Sequence, residues 1–205
     1  EGIAISKDLE KGKYKVKEIE TNEWYLLDEK DYNVEISNNK QVVAINISNK
    51  PAKPSLEIEK KGSDKLQPNE EIKYSINIKN TGNVKLSNFI WEDIIPTDYI
   101  KVNKIKLGTY NKEQNYNLYY KSNLTKEYVL LLEDITTTKE EEIDLDHELA
   151  DGEYITGIKL DFGTVDVGFA SSTETNIFGL IKPNVKNLDE FENKVTLEGK
   201  FKDYK

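Results

Sequence analysis

The sequence predicts an all-β protein built from two tandem β-sandwich domains. Short runs of alternating apolar and polar residues recur along its 205 residues, turn signals separate them at intervals typical of sandwiches, and one proline-bearing segment divides a short part from a long one. The alternating runs, in chain order, are Tyr14-Lys15-Val16-Lys17, Val43-Ala44-Ile45-Asn46-Ile47, Ile72-Lys73-Tyr74-Ser75-Ile76-Asn77-Ile78 and Val195-Thr196-Leu197. Each reads as a strand with one wet face, because side chains two apart share a face of a pleated strand. Lys11-Gly12, Asn38-Asn39, Thr81-Gly82-Asn83, Ile95-Pro96 and Asp151-Gly152 are the turn signals between them. The best helical candidate is the acidic stretch from Thr138 to Leu149, which lacks a sustained apolar face and supports a turn or two at most. In Asn49-Lys50-Pro51-Ala52-Lys53-Pro54-Ser55, two prolines in seven residues argue against a continuing ladder and for an extended, semi-rigid connector. The expected organisation is therefore a first domain over residues 1–50, a linker over 51–54 and a second domain over 55–205.

Composition narrows the functional classes. With 38 acidic against 29 basic residues the net charge is -9, which repels a polyanion, so nucleic acid is not an expected partner. Charged residues make up 33% of the chain, but 12 tyrosines and frequent Ile and Val supply the apolar surface a folded core needs. Cysteine is absent, which removes disulfides, thiolate nucleophiles and cysteine-based zinc sites, so any crosslink must use other side chains. The chain opens on Glu1 and holds no methionine, which reads as an interior segment of a longer protein.

Two stretches carry a family likeness. Asp8-Leu9-Glu10-Lys11-Gly12-Lys13-Tyr14-Lys15-Val16-Lys17-Glu18, together with the closing Val43-Ala44-Ile45-Asn46-Ile47-Ser48-Asn49-Lys50-Pro51, resembles a collagen-adhesin B-type, prealbumin-like repeat of Gram-positive surface proteins. The resemblance implies a lysine-bearing first strand upstream of Glu1, so the first domain reads as incomplete at its N-terminus. Leu56-Glu57-Ile58-Glu59-Lys60, Tyr74-Ser75-Ile76-Asn77-Ile78-Lys79-Asn80-Thr81-Gly82-Asn83, Asp93-Ile94-Ile95-Pro96 and Asn193-Lys194-Val195-Thr196-Leu197-Glu198-Gly199 resemble the isopeptide-forming conserved repeat domain of cell-wall proteins. What the two likenesses imply is an immunoglobulin-like or prealbumin-like pair of sandwiches in an adhesin or pilin. Such a protein would be extracellular and anchored to the cell wall through regions outside this segment.

Strand parity raises a chemical question of its own. Leu56, Ile58 and Lys60 share one face, Phe89, Trp91 and Asp93 another, and Phe191, Asn193, Val195 and Leu197 a third, so a lysine, a carboxyl and an amide enter one core. Each is costly to bury alone. Burial lowers an amine's pKa and raises a carboxyl's, which lets a neutral amine and a protonated acid coexist near neutral pH. Lys60 is then a nucleophile for the Asn193 carbonyl, with Asp93 as the acid that shuttles protons and ammonia as the leaving group. The family likeness assigns these positions the same roles. In the first domain Glu18 looks like the corresponding acid and Asn49 like an acceptor without its lysine. The bland alternatives are a snorkelling Lys60, an Asp93 that caps the turn at Pro96, and a hydrogen-bonded core Asn193. Lys61, the competing amine, points outward by parity.

Other constellations are weaker. His147, the only histidine, sits among Asp144, Asp146 and Glu148 in what reads as a solvated acidic run, and the carboxylates from Glu140 to Glu148 lack calcium-loop order. No metal and no cofactor are expected, and no catalytic turnover beyond a single self-directed reaction. Tyr116, Tyr119 and Tyr120 offer an alternative reading, a carbohydrate- or matrix-binding module with its site in the middle of the second domain. The expected partners are neighbouring domains of the same surface protein and an unidentified extracellular matrix or glycan ligand, with no membrane insertion by this segment.

Overall fold

A computed structural model describes residues 2–63, 65–186 and 189–202. Among the described residues the protein is all-β apart from one helical turn, and it divides into two compact units, Glu1–Ala52 and Lys53–Lys205.

The described residues of the first unit form the strands β1 (Gly12–Val16), β2 (Tyr25–Leu26), β3 (Tyr32–Ile36) and β4 (Lys50–Pro51). β1 and β3 form an antiparallel pair in which Tyr14 faces Val34, and β2 pairs with β4. Every described residue of this unit is half-buried or exposed, and Ile3, Ile5, Ile19 and Val42 lie open to solvent. Two expectations are corrected here. Val43–Ile47 alternates in exposure from Ala44 onward, with Ile45, Ile47 and Asn49 turned inward, but no backbone among the described residues pairs with it, so it is extended chain and not a strand. Conversely, Lys50–Pro51 does join a ladder, because the missing N–H of Pro51 is no loss where its neighbours bond and Ala52 N donates to Trp24 O at 2.7 Å.

The second unit is a two-layer sandwich. Its strands are β5 (Leu56–Gly62), β6 (Glu71–Asn80), β7 (Ser87–Ile94), β8 (Ile100–Leu107), β9 (Asn115–Ser122), β10 (Val129–Thr136), β11 (Glu141–Asp144), β12 (Ile155–Asp161), β13 (Thr175–Ile181) and β14 (Lys194–Lys200), with α1 (Leu145–Glu148) between β11 and β12. One five-stranded antiparallel sheet runs β10-β9-β12-β7-β14 and the other β11-β8-β13-β6-β5. β6 illustrates why the layers form. Ile72, Tyr74, Ile76, Ile78 and Asn80 point into the core, while Glu71, Lys73 and Lys79 face water. Between the sheets, the rings of Phe89, Tyr110, Tyr116, Phe162 and Phe169 pack edge-to-face and stacked, with centroids 4.8–6.2 Å apart. The acidic stretch after Thr138 resolves into β11 followed by a single turn capped by Asp144, because Ile143 and Leu145 are its only buried residues and their spacing suits a strand.

Gly82 is required by close approach. A Cβ there would sit 2.5 Å from Lys53 O and 2.7 Å from Ser55 N, where the turn after β6 receives the chain entering β5. Gly82 N also donates to the side-chain oxygen of the fully buried Asn80, whose amide nitrogen donates to Val84 O and Asp166 O. The first and last strands of the unit, β5 and β14, are edge strands of opposite sheets and lie against each other. Sequence ends that are far apart in the chain thus meet at one seam.

Candidate functional site

The seam between β5 and β14 holds a lysine, an aspartate and an asparagine. β5 is an edge strand whose inward positions are Leu56, Ile58 and Lys60, so the ammonium of Lys60 is carried toward the core and its side chain is 10% exposed. On β7 the run Phe89, Trp91, Asp93 follows the same inward parity, and the Asp93 side chain is fully buried. Lys60 Nζ donates to Asp93 Oδ2 at 2.5 Å. Asn193 immediately precedes β14, in register to follow the pairing of Val195 with Asp93. Its segment is pinned by Phe191, whose ring stacks on Tyr99 at 4.8 Å. Lys61 points outward and pairs with Glu59 on its own strand.

Burial acts on both charged groups in the direction that favours their neutral forms. Desolvation lowers the Lys60 pKa against the pull of Asp93, and desolvation raises the Asp93 pKa against the pull of Lys60. The Asn193 amide lies beside the Asp93 carboxyl and the Tyr74 hydroxyl. Nonetheless neither amide atom meets a partner at good hydrogen-bonding geometry, and Asp93 Oδ1 is also buried without one. Each orphaned polar atom costs about 1–3 kcal/mol. Three of them meet at one spot, beside the Lys60–Asp93 pair.

In the first unit Glu18 and Asn49 also meet. Asn49 Nδ2 donates to Glu18 Oε1 and to Thr21 Oγ1, both at 2.7 Å, while Glu18 Oε2 accepts from Asp28 N at 2.8 Å. The carbonyl oxygen of Asn49 is buried with no donor. No lysine among the described residues forms an ion pair with Glu18.

Sequence reasoning missed Tyr74 and Thr21. Tyr74 carried a signal, an aromatic with a polar tip at an inward position of β6, but only the pairing of Gly62 with Tyr74 places it beside Lys60. Thr21 lies outside any alternating run and carried none. The aromatic patch proposed for the middle segment does not assemble: Tyr116 is a core residue stacked on Phe162, whereas Tyr119 lies on the outer face under the Lys159 ammonium. His147 is exposed, 3.4 Å from Asp144. No cluster of metal-ligating side chains occurs among the described residues.

The fold and site define a sandwich-built all-β chain with a buried amine, acid and amide at the seam of its larger unit. Residues 1–51 match the family model of the SpaA prealbumin-like fold domain, which is what the smaller unit is similar to. No curated protein matches the chain. No helix among the described residues is long and apolar enough to cross a membrane.

Proposed function

We propose that this chain is a load-bearing module of a bacterial cell-surface protein of the adhesin or pilin kind, whose second unit is closed by a covalent Lys60–Asn193 isopeptide bond. The observation that carries the reading is the buried Lys60–Asp93–Asn193 constellation between the first and last strands. The similarity of residues 1–51 to a prealbumin-like domain of surface proteins supports the setting, outside the cell and anchored through other regions of the parent protein.

The geometry supports the following reaction. Proton transfer from Lys60 Nζ to Asp93 gives a neutral amine and a carboxylic acid, the pair that burial favours. The amine lone pair attacks Cγ of Asn193 while the Asp93 acid supports the carbonyl oxygen. Collapse of the tetrahedral intermediate breaks the Cγ–Nδ2 bond, with the amine's second proton passing through Asp93 to the departing nitrogen. The products are one amide crosslink and one ammonia, with no change of oxidation state. Because β5 and β14 are the terminal strands, tension on the two ends of the unit then runs through a covalent bond and bypasses the ladders between.

Intact mass spectrometry of the folded chain tests this directly. The expected result is the sequence mass less one ammonia, with a branched peptide joining Lys60 to Asn193 after proteolysis. An unmodified mass overturns the proposal.

A further inference from the structure

We propose that Tyr74 is a positioning residue for this crosslink, holding the Lys60 amine with its ring face and the Asn193 amide with its hydroxyl. The inference rests on the crosslink reading above and adds a residue to it.

Three observations converge. The Lys60 ammonium stands over the Tyr74 ring, 4.4 Å from its centroid, diagonal to it across the β5–β6 ladder. Gly62, directly opposite Tyr74, makes the placement feasible, since a Cβ at that position would fall 2.6 Å from Tyr74 Cε1. The phenol oxygen lies beside the Asn193 side chain with no hydrogen bond formed between them, and burial pushes the Tyr74 pKa up to about 12, so the hydroxyl stays protonated and available as a donor. Tyr74 is therefore a neutral group in contact with the amine and beside the amide of the bond to be formed, whereas Asp93 is the group that exchanges protons with them. The ring restrains an amine on a four-carbon stem that otherwise samples many rotamers, and the hydroxyl restrains an amide that has no well-formed hydrogen bond. A phenylalanine at this position supplies only the first restraint, and an aliphatic residue supplies neither.

The experiment follows crosslinking of the newly synthesised full chain by timed quenching and intact mass. Tyr74→Phe should still lose one ammonia but about tenfold more slowly, the change expected if the hydroxyl forms one neutral hydrogen bond to the amide as the reacting geometry is reached. Tyr74→Leu should be slower again, by a further factor of roughly three for the lost restraint on the rotamers of the Lys60 stem, so that Phe is a partial rescue of Leu. Gly62→Ala, which drives the ring from its place, should resemble Tyr74→Leu. Melting temperatures of Lys60→Ala with and without Tyr74→Phe report what the hydroxyl does for the fold when no bond can form. An unmodified wild-type mass sinks the crosslink itself. Ammonia loss in the wild type with an unchanged rate in Tyr74→Phe, or equal rates in Phe and Leu, overturns the role of Tyr74 alone.

Discussion

Replacing Asn193 by Ala isolates what the crosslink contributes to stability, because the Lys60–Asp93 pair, at 2.5 Å, remains intact when the acceptor is removed. The bond would close a loop on the order of 130 residues, for which the chain-entropy treatment of crosslinks gives about 5 kcal/mol. The small cavity left by a truncated amide adds about 1 kcal/mol at most. For a unit of this size each kcal/mol moves the melting temperature by about 2–4 °C, so Asn193→Ala should melt roughly 10–20 °C below the wild type. Calorimetry paired with intact mass on the same samples makes the comparison, with the wild type short of one ammonia and the variant at its full mass. If the wild type has lost ammonia and the variant melts within about 3 °C of it, the argument from loop closure is wrong. An ammonia loss that persists in Asn193→Ala places the acceptor elsewhere.

Three further outcomes follow from the geometry. Asp93→Asn should leave the chain at its unmodified mass and should melt below Asn193→Ala, since it strands a buried lysine at a cost of about 3–5 kcal/mol; an ammonia loss in this variant removes Asp93 from the mechanism. In the first unit, Tyr32 Oη donates to Asp28 Oδ2 at 2.5 Å, which holds the Asp28 pKa below its usual 3.8 and the Tyr32 pKa above its usual 10.0. The Asp28 contribution is thus present above its unfolded value and lost as pH falls through the lowered one, and the Tyr32 contribution is present below its unfolded value and lost as pH rises through the raised one; in Tyr32→Phe, proteolysis of the first unit across pH should lose the alkaline limb and keep a weakened acid limb, because Lys30 N still donates to Asp28 Oδ1. Gly82→Ala should destabilise the second unit by about 1–3 kcal/mol in denaturant titrations, because its Cβ meets backbone and not a yielding side chain; a neutral effect would show that the turn can move away from Lys53 and Ser55.

The fold class was legible because period-two alternation survives wherever a strand has one wet face, as along β6 and at Asn193–Leu197 before and within β14. The same parity found Lys60, Asp93 and Asn193, since a charged or amide residue in an inward position is conspicuous against Ile, Trp and Val neighbours. Parity cannot reveal which inward residues meet, and so Tyr74 went unnoticed until the β5–β6 register set Gly62 opposite it. It also misjudged Val43–Ile47, where alternation reports a half-buried extended chain and a ladder needs a partner backbone that sequence spacing does not supply. In the middle segment, Tyr116, Tyr119 and Tyr120 looked alike as residue types. Their separation into core and outer face follows from the alternation of β9, which adjacent tyrosines conceal.

The two units pair an acid with an asparagine in different ways, and the difference bears on their chemistry. In the second unit Asp93 is fully buried, its carboxyl pKa raised by desolvation, with an amine already bonded to one of its oxygens. In the first, Glu18 is half-buried and spends both oxygens on Asn49 Nδ2 and Asp28 N, while Thr21 shares the amide nitrogen. That arrangement fixes the amide by its nitrogen and leaves its carbonyl oxygen buried without a donor, a cost of about 1–3 kcal/mol that an incoming N–H would relieve. An amine approaching that carbonyl would meet an acceptor already oriented and an acid already in contact with the leaving nitrogen. Glu18 therefore has the position of Asp93 without its burial. Burial is what makes a carboxyl and an amine neutral together, so the crosslinking proposed for the second unit would, in the first, require an apolar cover over Glu18 as well as an amine at the Asn49 carbonyl.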